Sequence, residues 1–150
     1  MTFALETIKL QQLAAIQELQ ECNQFTEKFG LTLTEAQIQR LVNERFEALQ
    51  ENGRIEFGEG VLKKLVYAFC SSPYLYQFDY EDTIAALQET FYYFKNESDD
   101  RLSDDELITF MKQTFDGKAQ GSLEYLAETS LEELCRKTRY GYSPDGGDSL

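Results

Sequence analysis

The stretch LTEAQI, residues 33–38, contains a complete signal for the start of a helix. The hydroxyl of Thr34 can accept a hydrogen bond from the backbone of Gln37, and the side chain of Gln37 can accept one from the backbone of Thr34. This reciprocal arrangement is the capping box. Leu33 and Ile38 flank it at the positions where two apolar side chains pack together beside a helix start. The stretch therefore predicts a helix beginning just after Thr34.

A second copy of this pattern, LSDDEL, occupies residues 102–107. Two interpretations of the repetition are open. One is an internal duplication of a three-helix unit, with repeats at residues 5–72 and 74–138. The other is that capping boxes recur simply because helices need caps. The matching positions lie 69 residues apart throughout: Phe25, Leu33, Thr34, Gln37 and Ile38 correspond to Phe94, Leu102, Ser103, Glu106 and Leu107.

Apolar residues recur at helical spacing along most of the chain, which favours an all-α fold of about six helices. Gly30, Asn52-Gly53 and Pro73 interrupt the periodic segments and are typical of helix ends. The last helix is expected to jog at Thr129-Ser130. The expected helices cover residues 5–28, 35–51, 60–71, 80–96, 104–115 and 122–138.

Short extended segments are expected between some of these helices, at residues 54–57 and 74–79. In the second of them aromatic residues alternate with other residues, which is the period of an extended chain. Asp79 follows at the position of an N-cap for the fourth helix. We expect one helical domain over residues 1–140 and a disordered tail at residues 141–150, where SPDGGDSL is rich in turn residues.

The charge of the chain argues against several classes of partner. There are 27 acidic and 14 basic residues, which gives a net charge of −13. Nucleic-acid-binding proteins concentrate lysine and arginine to neutralise phosphates, and anionic membranes attract the same residues. We therefore expect no nucleic-acid partner and no membrane partner. The sequence contains no 18-residue apolar stretch and no recognisable signal peptide.

The sequence has no histidine. This excludes Ser-His-Asp and Cys-His catalytic systems and zinc sites that use histidine. The three cysteines, Cys22, Cys70 and Cys135, are odd in number and lie among apolar residues. They are typical of buried, reduced thiols in a cytoplasmic protein. We assign no catalytic, cofactor-binding or metal-binding residue, and we expect that the protein is not an enzyme.

The stretch ALQENGRIEFGE, residues 48–59, has the outline of a calcium-binding EF-hand loop. Gly53 and Glu59 occupy the positions of the turn glycine and of the bidentate carboxylate. The first, third and fifth positions carry Ala48, Gln50 and Asn52, where such a loop needs charged oxygen ligands. The segment therefore resembles an EF-hand only weakly, and tight calcium binding is not expected.

The corresponding loop in the second half, DGKAQGSLEYLA, begins at Asp116. Asp116 suits the first ligand position, but Lys118 and Ala127 occupy the third and twelfth, where oxygen ligands belong. A separate acidic run could hold Mg²⁺ loosely through water, but it is more typical of a solvated connector leading into a helix N-terminus. Its members are Glu97, Asp99, Asp100, Asp104, Asp105 and Glu106.

Aromatic residues are concentrated in one part of the chain. Half of the 20 phenylalanines and tyrosines lie between Tyr67 and Phe94. Tyrosine is favoured at recognition surfaces because its ring is apolar while its hydroxyl can stay hydrated. The alternative is that this segment fills the core between the two halves. The candidate interaction residues are Tyr74, Tyr76, Phe78 and Tyr80.

Several phrases of the sequence resemble a family of small bacterial proteins known only as a domain of unknown function. They are GRIEFG, FCSSPY, FYYFKNES, LSDDEL and FDGKAQGSLEYL. The resemblance covers about residues 5–140. It implies a bacterial, cytoplasmic setting and supplies no activity, ligand or functional residue.

Three functions are compatible with these observations. The first is a non-catalytic interaction or regulatory module that binds a protein partner or a second copy of itself through its aromatic residues. The second is weak binding of a divalent cation. The third is an enzyme that uses carboxylates without histidine, which would require a pocket with converging polar groups. The composition favours them in that order.

Overall fold

The computed structural model describes residues 2–54 and 60–140, and side chains from Lys9 onward. The regular structure of this part is entirely helical, so the predicted all-α fold is confirmed. The first five helices are α1 (Thr2–Thr26), α2 (Glu35–Glu51), α3 (Val61–Phe69), α4 (Tyr80–Glu97) and α5 (Asp104–Asp116). The sixth, α6, has three consecutive parts: an α-helical turn (Leu123–Tyr125), a π-helical segment (Leu126–Leu131) and an α-helix (Glu132–Arg139). Two single turns of 3-10 helix occur at Glu27–Phe29 and Gln77–Asp79.

Both predicted capping boxes are present. At the start of α2 the Gln37 amide donates to Thr34 Oγ1 at 3.2 Å, and the Thr34 amide donates to Gln37 Oε1 at 2.8 Å. At the start of α5 the equivalent bonds between Ser103 and Glu106 are 3.1 and 2.9 Å long. Each box satisfies two backbone groups that a helix start would otherwise leave without partners.

The turns that end α1 and α4 also match at the 69-residue spacing. In each, a residue with positive φ follows the helix, Gly30 at 78° and Asp99 at 56°. The same two backbone hydrogen bonds close both turns. They run from Gly30 to Glu27 and from Leu31 to Thr26 in the first turn, and from Asp99 to Asn96 and from Asp100 to Lys95 in the second. This geometry is what a duplication requires, although ordinary helix ends also adopt it.

Helix α4 lies at the centre of the fold and contacts α2, α3, α5 and α6, while α1 packs on α2 and α3. The core is continuous across the two halves of the sequence. Phe69 of α3 and Phe115 of α5, for example, are both buried, and their rings meet edge to face at 5.4 Å between centroids. Such contacts bury apolar area from both halves together, which couples their stabilities.

The predicted jog in the last helix corresponds to the π-helical segment Leu126–Leu131. In a π turn the backbone bonds join residues five apart, so residues at that spacing lie nearly above one another. Leu126 and Leu131 are both fully buried. A regular α-helix would turn one of them away from the core, which gives the segment a physical reason.

Two local expectations need correction. The segment at residues 74–79 is extended only in part: Tyr76 has φ −126° and ψ 146°, but Gln77–Asp79 forms a 3-10 turn. Asp79 occupies the N-cap position of α4 without making a side-chain cap. Its Oδ1 is buried and has no hydrogen-bond partner among the described residues. Residues 55–57 of the other expected extended segment, and the tail at 141–150, lie outside the described residues.

Candidate functional site

The four predicted interaction residues occupy two different environments. Tyr76 and Phe78 are 53% and 86% exposed, and their rings stack with centroids 5.9 Å apart and planes 23° from parallel. Tyr74 is half-buried, and its ring lies nearly perpendicular to that of Phe115, with centroids 6.2 Å apart. Tyr80 is buried. The structure therefore brings only Tyr76 and Phe78 together on the surface.

The separation follows from the 3-10 turn at Gln77–Asp79. A continuous extended segment would place alternate residues on one face. Because the turn rotates the chain after Phe78, Tyr80 points into the interior, where its hydroxyl is hydrogen-bonded to the buried side chain of Thr26. Burial raises the pKa of Tyr80, so the hydroxyl stays protonated.

A pair of hydrogen bonds fixes the loop that carries Tyr76 and Phe78. The backbone amide of Thr32 donates to Gln77 Oε1 at 2.8 Å, and Gln77 Nε2 donates to the carbonyl oxygen of Thr32 at 3.0 Å. Gln77 thus pairs with a loop 45 residues away much as a neighbouring strand would. The stacked rings are consequently held on an anchored loop.

A second group of exposed aromatic residues was missed by sequence reasoning. Phe25, Phe29 and Tyr67 are 38%, 42% and 41% exposed. The ring of Phe25 lies 6.0 Å from that of Phe29 and 5.0 Å from that of Tyr67. Lys28 Nζ lies 4.0 Å from the centroid of Phe25, within range of a cation–π interaction. The pKa of Tyr67 is raised, mainly by electrostatic repulsion from the Cys22 thiolate that forms only at high pH, so both groups are neutral at neutral pH.

Phe25 and Phe29 continue the helical spacing of the apolar residues in the first helix, yet neither is buried. The position of Phe25 and Phe29 could have indicated their exposure. They lie on either side of Lys28 at the C-terminal end of α1, where the helix passes into a 3-10 turn and its regular period ends. The buried face of the helix is formed instead by Leu19, Cys22 and Thr26.

The two aromatic groups are connected through the backbone. Thr26, which bonds Tyr80, follows Phe25 directly, and Thr32, which bonds Gln77, lies three residues after Phe29. Phe25, Phe29, Tyr67, Tyr76 and Phe78 are together called the aromatic surface below.

In the loop that begins at Asp116, the carboxylate at the first calcium-ligand position is already bound to other groups of the protein. Asp116 Oδ1 accepts a hydrogen bond from Ser72 Oγ at 2.6 Å, and Oδ2 forms an ion pair with Lys112 Nζ at 2.9 Å. Both oxygens thus have partners within the protein. Glu56 and Glu59 of the first loop lie outside the described residues.

Several carboxylates of the acidic run between α4 and α5 form separate ion pairs. Its carboxylates contact cations from different parts of the fold, so that the connector is tied to its surroundings. Among the side chains that the structure describes, residues 9–54 and 60–140, no three acidic or cysteine groups are placed so as to hold a metal ion. The pairs are Glu97 with Arg139, Asp100 with Arg54, Asp104 with Lys95 and Asp105 with Lys64.

All three cysteines are buried and free, as expected. Burial raises the pKa of Cys22 and Cys70, and that of Cys135 to about 11. The thiols are therefore protonated at neutral pH and weak as nucleophiles.

Among the described helices, none has an apolar stretch long enough to cross a membrane.

Comparison with known proteins identifies a family for this chain. A family model described as "Family of unknown function (DUF6323)" matches residues 18–144, which confirms the expected resemblance to an uncharacterised family. Neither a curated protein nor a solved structure matches the chain.

Proposed function

The chain belongs to the DUF6323 family of unknown function, and we propose that it is a non-catalytic module that binds a protein partner. The observation that carries the proposal is the stacked and exposed pair Tyr76 and Phe78, held on a loop by the bonds between Gln77 and Thr32. The buried, free thiols support a cytoplasmic setting, where cysteines stay reduced.

Burying exposed aromatic side chains against an apolar partner contributes a large favourable free energy to binding. Removing a phenylalanine side chain such as that of Phe78 from water is worth about 2 kcal/mol. Aromatic residues are enriched among the few residues that carry most of the binding energy at interfaces. An anchored loop also loses less conformational entropy on binding than a free one, which increases the affinity.

The charge of the protein favours a different protein over a second copy. Two chains that each carry a net charge of −13 repel each other at low ionic strength. A partner with an apolar pocket and a net positive charge would be attracted, and would associate faster at low salt. We therefore propose a heterologous partner.

Affinity capture tests the proposal. Wild-type protein, the double variant Tyr76→Ser/Phe78→Ser and the variant Tyr140→Ser are immobilised and exposed to extract of the source cells. Tyr140 is 81% exposed and lies outside the aromatic surface, so its variant controls for general stickiness. We expect one protein to be retained by the wild type and by Tyr140→Ser and lost with the double variant.

Two outcomes would contradict the proposal. Equal retention by all three proteins would show that Tyr76 and Phe78 do not form the contact. Sedimentation that shows a wild-type dimer, with a monomeric double variant, would assign the surface to self-association. Circular dichroism of the double variant should match the wild type, because both substituted side chains are exposed.

A further inference from the structure

A groove of about 870 Å³ lies between α2, α4 and α6, and none of its lining residues belongs to the aromatic surface. Its volume is within the range of small-molecule sites. Alanines from all three helices line it, and their short side chains leave the space between the helices open. They are Ala48, Ala85, Ala86 and Ala127.

The groove is strongly acidic. Five of its carboxylates have no lysine or arginine within 4.0 Å in the described part of the chain, so their charges are not compensated by ion pairs. They lie on all three helices and surround the groove: Glu47, Glu51, Glu89, Glu128 and Glu132.

The cation of the groove, Arg40, is already neutralised. It forms ion pairs with Glu44 at 3.0 Å, Glu81 at 3.1 Å and Asp82 at 2.7 Å. These contacts join α2 to α4 beside the groove and compensate the positive charge of the guanidinium. The lining that remains has an excess of negative charge, which attracts a cationic ligand.

A buried polar atom lies in the same place. Gln88 lines the groove and is 1% exposed, yet its Oε1 has no hydrogen-bond partner among the described residues. An unpaired buried amide oxygen destabilises a fold, so a donor that reached it would be bound favourably. The atom can only accept, which again requires a ligand with N–H or O–H groups.

An exposed ring adds a third element of cation recognition. Tyr93 lines the groove and is 56% exposed, with its ring against Phe94 at 4.8 Å. The face of such a ring attracts an ammonium group.

From these features we infer that the groove binds a linear aliphatic polyamine. The methylene groups would contact the alanines and the ring of Tyr93, while ammonium groups would pair with carboxylates and one would donate to Gln88 Oε1. Glu47 and Glu51 are one helical turn apart, about 6 Å along α2. This separation is comparable to that of neighbouring nitrogens across a four-carbon linker.

Other cations fit the groove less well. A hard divalent ion prefers six to eight oxygens gathered at one point, whereas these carboxylates are spread over three helices. A basic peptide would bring backbone amides and carbonyls, which need hydrogen-bond partners that alanine side chains cannot supply. A linear polyamine carries ammonium groups at several points along its length and has no peptide backbone.

Calorimetric titration with spermine at low salt tests the inference. Glu47→Gln/Glu128→Gln removes two groove carboxylates, one on α2 and one on α6. Glu35→Gln/Glu124→Gln removes the same charge from exposed positions outside it. We expect the first variant to weaken binding about tenfold and the second less than twofold, because only groove carboxylates contact the ligand.

The variant Gln88→Leu separates recognition from general charge, since it leaves the net charge unchanged. We expect weaker spermine binding together with an unchanged or higher melting temperature, because the unpaired oxygen is removed from the interior. The inference is overturned if both charge variants lose affinity equally, if Mg²⁺ at equal concentration displaces spermine, or if a lysine-rich peptide binds and spermine does not. Tyr76→Ser/Phe78→Ser should bind spermine normally, so this test is independent of the proposed protein partner.

Discussion

Thr32 and Gln77, 45 residues apart in the chain, are joined by two hydrogen bonds of 2.8 and 3.0 Å between one backbone unit and one side-chain amide. The two bonds hold the turn after α1 beside the turn before α4. They therefore set the position of Tyr76 and Phe78 relative to the rest of the aromatic surface.

Replacing Gln77 by alanine should reduce the free energy of unfolding by about 1 kcal/mol, because two exposed hydrogen bonds are lost and water can replace them. Urea denaturation measures the change. Gln39→Ala is the matched control: it removes one exposed bond within α2, to Asn43, and should change stability by less than half as much. Equal effects of the two variants would show that the long-range pair has no special role.

Two glycines with positive φ should differ in their tolerance of a side chain. A Cβ added at Gly121 would lie 2.7 Å from Tyr74 Cβ, an atom fixed to the backbone, whereas a Cβ at Gly30 would meet nothing within 4 Å. Both alanine variants carry the left-handed backbone penalty of about 1–2 kcal/mol. The steric clash should add about 1–3 kcal/mol for Gly121→Ala alone. Thermal unfolding of the two variants tests this difference, and similar melting temperatures would contradict it.

The capping boxes make a prediction at two equivalent positions. Thr34→Ala and Ser103→Ala should each lower the free energy of unfolding by about 1 kcal/mol, since each leaves an amide at a helix start without its partner. Thr109→Ala is the control because Thr109 is exposed within α5, where alanine is the better helix former. It should have no effect or a slightly stabilising one. A loss of stability in all three variants would argue against a specific capping role.

Stability should fall at high pH in part because of Cys135. Burial raises the pKa of this thiol to about 11, from an ordinary value of 9.0. Above pH 9 the unfolded chain releases the proton while the folded chain retains it, so stability decreases between about pH 9 and pH 11 and does not change through this group below pH 9. The difference in urea midpoint between wild type and Cys135→Ala should therefore change across this window and stay constant from pH 6 to about pH 8. A constant difference up to pH 11 would show that the thiol is not protected.

Local signals in the sequence were sufficient for the order of the helices and for the starts of α2 and α5. Thr34 with Gln37, and Ser103 with Glu106, act over three residues, so their geometry is nearly independent of the rest of the fold. Gly30 ends the first helical segment for the same reason: its left-handed backbone is a local preference. The burial of the three thiols followed from their apolar neighbours in sequence.

The exposure of the aromatic residues was decided by tertiary structure. Tyr76 and Tyr80 share a periodic pattern, but one is exposed and the other buried because the 3-10 turn at Gln77–Asp79 changes the direction of the chain. That turn is held by Thr32, which is remote in sequence. A pattern with period two cannot report a partner 45 residues away.

The acidic groove likewise could not be predicted from the sequence. Glu47, Glu89 and Glu128 look like ordinary solvated residues on three separate helices, and only the packing of those helices around α4 brings them to one cavity. The set of helices, in contrast, follows from local sequence alone, because capping and periodicity are interactions between near neighbours. Which side chains meet across helices depends on how those helices pack, and that arrangement is fixed by the shared core.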